Sequence, residues 1–248
     1  MDREQLTRFL EETLESARFS DYSPNGLQVE GHSDVRRVLT GVTASQALLD
    51  EAVRRKADTV IVHHGYFWKG ESPAIVGTKR RRLATLLTHD INLFAYHLPL
   101  DAHPELGNNA QWAASMGWRC LGHFGDQDIG CWGELPSPMR ADALARQIEA
   151  RLGRTPVLVG DSGRILHRIA WCSGGAQGFI ETAARLNVDA YLSGEISEAT
   201  PHLALENGIA FLACGHHATE RFGPRALAAH LSEKLGLECE FVDLFNPA

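Results

Sequence analysis

The stretch TGVTASQALLDEAVRRKADTVIVHHG (40–65) decides the fold. It continues the run RRVLTGV (36–42), which reads as a buried strand. Thr43 and Gln46 match a capping box, in which a hydroxyl and a side-chain amide satisfy the free N–H groups of a helix start. Residues 44–57 then carry helical periodicity, and Thr59–Val62 is a short β-branched strand that stops at His63-His64-Gly65. Strand, helix, strand in this order is the unit of an α/β fold with a parallel sheet.

The same plan returns downstream. WCSGGAQGFIETAARLNVDAYLS (171–193) aligns with residues 40–62 at an offset of 131, pairing Gln46 with Gln177, Ala52 with Ala183, Arg54 with Arg185 and Asp58 with Asp189. Beyond it the offset becomes 119, so that His97 falls on His216, Asp101 on Glu220, Gly117 on Gly236 and Cys120 on Cys239. The change is absorbed by a Gly/Pro-punctuated insertion at 65–82. Two ordinary βα units could share an apolar rhythm, but that rhythm does not require the histidine–acid spacing to recur. The reading is an internal duplication: two similar α/β lobes, expected at 1–125 and 126–248.

Outward from these units, residues 3–17 read as an amphipathic helix with Leu6, Phe9, Leu10 and Leu14 on one face, and 20–31 as a turn-rich loop. LATLLTHD (83–90) is a helix, NLFAYH (92–97) a buried strand and 97–109 a loop. Residues 110–117 form a helix, 118–125 a strand and 142–153 a further helix.

No run of 18 apolar residues is present, and the N-terminal segment lacks the apolar stretch of a secretion signal. Five scattered cysteines without a CxxC pair suit a reducing compartment and argue against a zinc–thiolate site. A cytoplasmic protein with no membrane role is expected. The net charge of −7 argues against a nucleic-acid partner held by overall charge. Lys79-Arg80-Arg81-Arg82 reads as a solvated face rather than a phosphate clamp, and Gly174-Gly175 as helix capping rather than an anion seat. No GxGxxG, GxxxxGK[ST] or GxSxG motif is present.

Histidine is the unusual count, at twelve. His63, His64 and His97 end strands, and His216 follows the apolar run AFLACG (210–215). Sites in open α/β sheets form outside the carboxyl ends of strands. His97-Leu-Pro-Leu-Asp101 and His216-His-Ala-Thr-Glu220 each set a carboxylate four residues after an imidazole, which one helical turn would place on the same side. Pro99 leaves that turn open in the first case. Imidazoles and carboxylates together suit first-row divalent metals. His63, His64, Asp101, His216 and Glu220 are therefore the expected ligands, with His97 an extra ligand or a support. His217 reads as structural. His89, His103, His123, His167, His202 and His230 read as ordinary, and Tyr66 to Lys69 as either the wall of a metal pocket or a cover for the core.

SDYSPNGLQVEG, TGVTASQALLDEA, VIVHHGYFWKGESP, HLPLDAHPELGNNAQ and GHHATER together resemble the GTP cyclohydrolase 1 type 2 homologue family, also described as Ngg-interacting-factor-three-like proteins, over essentially the whole chain. The resemblance implies two similar α/β lobes with a dinuclear metal site in the cleft between them, and a toroidal homohexamer. It implies that Glu220 touches both ions, that His63 and Asp101 hold one, and that His64 and His216 hold the other. Zinc, iron, manganese and nickel all remain open.

Three functions follow as alternatives. The first is a metal-dependent hydrolase acting on a nucleotide or phosphoester. The second is a non-catalytic ring-shaped scaffold or metal-handling protein. The third, disfavoured by charge, is a nucleic-acid partner using residues 79–82.

Overall fold

The computed structural model describes residues 1–248. They form two compact units, Met1–Leu106 with Gly223–Phe245, and Gly107–Phe222 with Asn246–Ala248.

The first unit holds β1 (Gly26–Val29), β2 (Arg37–Thr43), β3 (Thr59–His64), β4 (Asn92–Ala95) and β11 (Glu238–Phe241) in a sheet of order β1-β4-β3-β2-β11. All neighbours are parallel except β1, which runs antiparallel to β4. The central strands are apolar on both faces because both are covered. On one face Val38, Ile61 and Phe94 meet Leu6, Leu10 and Leu14 of α1 (Arg3–Leu14) and Leu227 and Leu231 of α10 (Phe222–Leu235). On the other, Leu39, Val60, Val62 and Leu93 meet Leu48, Leu49 and Ala52 of α2 (Gln46–Arg55) and Leu83 and Leu86 of α3 (Gly77–Thr88). Each fully buried side chain of this kind contributes about 1.5–3 kcal/mol relative to exposure, so the central strands are rigidly placed and the loops at their ends inherit that placement.

The second unit has β5 (Arg119–Phe124), β6 (Gly130–Arg140), β7 (Val157–Val159), β8 (Ile165–Cys172), β9 (Ala190–Ser193) and β10 (Ala210–Ala213), in the order β5-β6-β8-β9-β10-β7. Strands β8, β9 and β10 are parallel, and β5, β6 and β7 join antiparallel. Ile169, Trp171 and Leu192 pack with Trp112 of α5 (Asn108–Met116) and Leu144 and Ile148 of α6 (Ala141–Leu152). Cys172, Tyr191 and Phe211 pack with Ile180 and Ala183 of α7 (Ile180–Ala184) and Ala204 of α8 (Thr200–Glu206).

The duplication is visible element by element. At offset 131, β1, β2, α2 and β3 fall on β7, β8, the helical stretch 177–184 and β9. At offset 119, β4 falls on β10, and α5 and β5 fall on α10 and β11. The last helix–strand pair of each repeat is exchanged: α5 and β5 of the first repeat belong to the second unit, while most of α10 and all of β11 return to the first. The expected division at residue 125 therefore differs from the observed one. The chain changes units after Leu106 and comes back at Gly223, because β11 pairs with β2 while β5 pairs with β6. No helix is long and apolar enough to cross a membrane.

Three local expectations also change. The N-cap of α2 is Ser45, whose hydroxyl accepts from Leu48 N–H, and Thr43 lies in β2. Helix α3 begins at Gly77, so the basic run sits within it, with Lys79 Nζ 3.3 Å from Glu71 and 5.1 Å above the Phe67 ring. The 97–109 loop contains a further helix, α4 (Leu98–Ala102), with Pro99 in its first turn, where the missing N–H costs nothing.

Candidate metal centre

In the first unit, β3 delivers His63 and His64 at its carboxyl end, β4 leads to His97, and α4 brings Asp101 one turn beyond His97, with Asp101 N–H donating to the His97 carbonyl. His63 is fully buried and Asp101 nearly so. One ring nitrogen from each of His63, His64 and His97 lies within 4.8 Å of the other two, and His63 Nε2 stands 3.6 Å from Asp101 Oδ2. Gly65 permits this crowding: a Cβ there would lie 2.3 Å from Gln28 Oε1 and 2.5 Å from the Ala95 methyl group.

Each imidazole is oriented through Nδ1. His63 Nδ1 donates to the Tyr96 carbonyl at 3.0 Å, which leaves the lone pair on Nε2, the atom that faces Asp101. His64 Nδ1 meets the Thr43 hydroxyl at 3.2 Å, so Thr43 serves a histidine instead of a helix cap. His97 Nδ1 is 2.7 Å from Asp21 Oδ1. Asp21 also accepts from Leu98 N–H and from the Asn25 amide, and Asn25 in turn accepts from His97 N–H. Burial works against the charge on Asp21, but its bond to His97 and the two N–H donors outweigh it, and its pKa falls to about 2. A carboxylate or carbonyl behind an imidazole is the usual support of a metal-ligating histidine. Sequence reading does not single out Asp21, because nothing in its spacing ties residue 21 to residue 97.

In the second unit, β10 is followed by Cys214-Gly215, and α9 (His216–Thr219) carries His216 to within 3.1 Å of Glu220, measured from Nε2 to Oε1. His216 Nδ1 is held at 2.7 Å by Glu195, a second residue that sequence reading does not single out. Burial lowers the His216 pKa, but Glu220 and then Glu195 reverse this and raise it to about 9. Two carboxylates around one imidazole make a place that favours positive charge, whether a proton or a cation. Glu220 is buried and held close to Gly174. Gly174 has φ +65°, and a Cβ on it would meet Glu220 Oε1 at 2.1 Å and His216 Nε2 at 3.4 Å. Its amide donates to the Thr219 hydroxyl, so the Gly174 expected as a cap instead makes room for the acid.

The structure thus brings together His63, His64, His97 and Asp101 in one unit, and His216 with Glu220 in the other. These histidines and carboxylates can hold a metal ion: the donor types suit borderline divalent cations, and three imidazoles are pre-oriented through Nδ1. Trp68 lies against His64 and His97, at ring separations of 5.9 and 5.0 Å, and so walls the cluster. Tyr66 is core, its hydroxyl donating to the Ala44 carbonyl, and Phe67 is exposed. His217 is buried, with its N–H donating to the Ala248 carbonyl. His103 caps a turn and His202 pairs with Glu198 on the surface, as ordinary histidines do. His123 departs from that reading, because it lies beside Cys120 and Cys131.

The family model described as Duf34/NIF3 (NGG1p interacting factor 3) matches residues 1–247. A relative from Escherichia coli K12, described as "GTP cyclohydrolase 1 type 2 homolog", is 58% identical over 249 residues and covers 100% of both chains. Among solved structures, "protein ybgI, unknown function" superposes with a TM-score of 0.97 at 58% identity, covering 100% of both chains. TTHA1606 from Thermus thermophilus does so with a TM-score of 0.91 at 35% identity, again over 100% of both.

Proposed function

The chain belongs to the Duf34/NIF3 family, and from that premise we propose that it is a dinuclear metal-dependent hydrolase, similar in reaction type to GTP cyclohydrolase 1 type 2 and acting on a nucleotide or phosphoester. The observation that carries the proposal is the cluster of three imidazoles fixed through Nδ1, with His63 buried beside Asp101, together with the His216–Glu220 pair held over Gly174.

In this reading His63, His64, Asp101, His216 and Glu220 would hold two divalent ions, with His97 in support. Zinc, iron, manganese and nickel are the candidates. When bound, such ions lower the pKa of water towards neutrality and polarise the bond to be broken. The protein's own part is positioning. The Tyr96 carbonyl keeps Nε2 of His63 as an acceptor, and Thr43 holds the His64 ring in place. The carboxylates of Asp21 and Glu195 keep the rings of His97 and His216 from turning. Trp68 restricts solvent at His64 and His97. Asp101, nearly buried beside His63, is the charge that compensates a cation in the first unit.

The test is turnover of GTP and of a panel of phosphoesters by metal-loaded protein. Activity lost in Glu220→Ala with the fold retained supports the proposal, and activity unchanged in that variant rules it out. A toroidal homohexamer, which the sequence resemblance implies, belongs to the same proposal. Light scattering of the purified protein tests it, with a mass of six chains expected.

A further inference from the structure

A third cluster of metal-ligating side chains lies outside the centre described above. Strand β5 is the edge of the six-stranded sheet and pairs with β6. Cys120 and His123 are three residues apart, and in a regular strand they would point to opposite faces. The register shift between Cys120 and Gly122 cancels this. Cys120 stands opposite Gly133, and His123 opposite Cys131. Directly opposed residues share a face, as do residues two apart on one strand. The bulge therefore puts Cys120, His123 and Cys131 on the same side of the sheet.

Their donor atoms lie within 4.8 Å of one another, with Cys131 Sγ 3.6 Å from His123 Nδ1. A tetrahedral zinc ion, with Zn–S of about 2.3 Å and Zn–N of about 2.0–2.1 Å, separates its sulfur and nitrogen ligands by about 3.6 Å. The observed gap already has that width. Cys120 and His123 are exposed and Cys131 is buried, so the cluster is anchored at its base and open at its edge.

We propose that Cys120, His123 and Cys131 form a separate site for a single thiophilic cation of the zinc type, bound by two sulfurs and one imidazole nitrogen with the fourth position open to solvent. Binding exchanges the two thiol protons for the cation, leaving Cys120 and Cys131 as thiolates, and no oxidant takes part. The hydrogen bond from the Cys131 thiol lowers the Cys120 pKa and, with burial, raises that of Cys131, so the Cys120 thiol gives up its proton first and the cation displaces the second. The site stands apart from the His/carboxylate centre in chemistry, since neither group of donors described there contains sulfur.

Cobalt(II) titration of the reduced full-length protein tests this, because only thiolate ligation gives an intense sulfur-to-cobalt charge-transfer band in the near ultraviolet. The expected result is such a band in the wild-type protein, bleached by added zinc. It should be absent in Cys120→Ser, a substitution at an exposed position that leaves the core intact, and retained in Cys239→Ser. His123→Ala should weaken cobalt binding at least tenfold. The inference is overturned if the reduced wild-type protein gives no band, or if Cys120→Ser leaves the band and the zinc content unchanged. It is also overturned if the freshly purified protein carries a Cys120–Cys131 disulfide, seen as a loss of two hydrogens in its mass, and takes up no thiolate-bound cobalt once that bond is reduced.

Discussion

The two repeats solve one problem with different residues. At offset 119, His97 in the first repeat corresponds to His216 in the second, and each has its Nδ1 held by a carboxylate at 2.7 Å. The carboxylates are not equivalent. Asp21 comes from the loop before β1, whereas Glu195 occupies the position that offset 131 gives to His64. The residue matching His63 is Gly194, where a Cβ would meet the Gly174 carbonyl at 2.5 Å. The first repeat thus spends the end of its middle strand on two imidazoles, while the second uses the same place to orient one imidazole and to give it room. Duplication preserved the histidine–acid turn and left each copy to recruit its own support.

The largest effect is expected where a donor is removed. His63→Ala should lose about one ion equivalent per chain in elemental analysis while keeping its far-ultraviolet circular dichroism. Full retention would mean that the first repeat's extra imidazoles are packing, and the comparison would fail. Gly174→Ala comes next. The added methyl collides with Glu220 and the backbone sits at positive φ, so urea unfolding should show a loss of about 1–3 kcal/mol together with reduced metal content. Gly178→Ala, where a Cβ meets nothing within 4 Å, is the control and should change little.

Asp21→Asn and Glu195→Gln should each weaken metal binding by about 10–100-fold in competition with a chelator, the usual cost of removing the group behind a ligating histidine. Similar losses in both would sharpen the idea that the two acids do the same job, and a loss in one alone would break it. Thr43→Val should be mildest, below about tenfold in the same assay, because a single neutral hydrogen bond at 3.2 Å is lost.

Much of this is legible in the chain. The apolar runs before His63, His97 and His216 are strands buried on both faces, and such burial leaves a plain compositional mark. The histidine–acid spacing shows as well, because a single turn fixes it locally. What escapes depends on distant pairing. Asp21 reaches His97 across the chain, and Glu195 reaches His216 from a neighbouring strand end. The exchange of α5 and β5 for α10 and β11 is a choice of sheet partner that no local periodicity encodes. Cys120, His123 and Cys131 look scattered because the bulge that gathers them is a feature of strand pairing, and the sequence alone shows only their separations of three and eight residues. Thr43 misleads for a related reason: it fits a cap by sequence, yet Ser45 is better placed once β2 extends to residue 43.

The proposed function depends most on Glu220 as a metal ligand. Metal content per chain, measured by elemental analysis on metal-loaded wild-type protein and on Glu220→Ala, tests it most directly. Two divalent ions are expected in the wild type, and fewer than one in the variant, with the fold intact. Two ions retained without Glu220 would contradict the account.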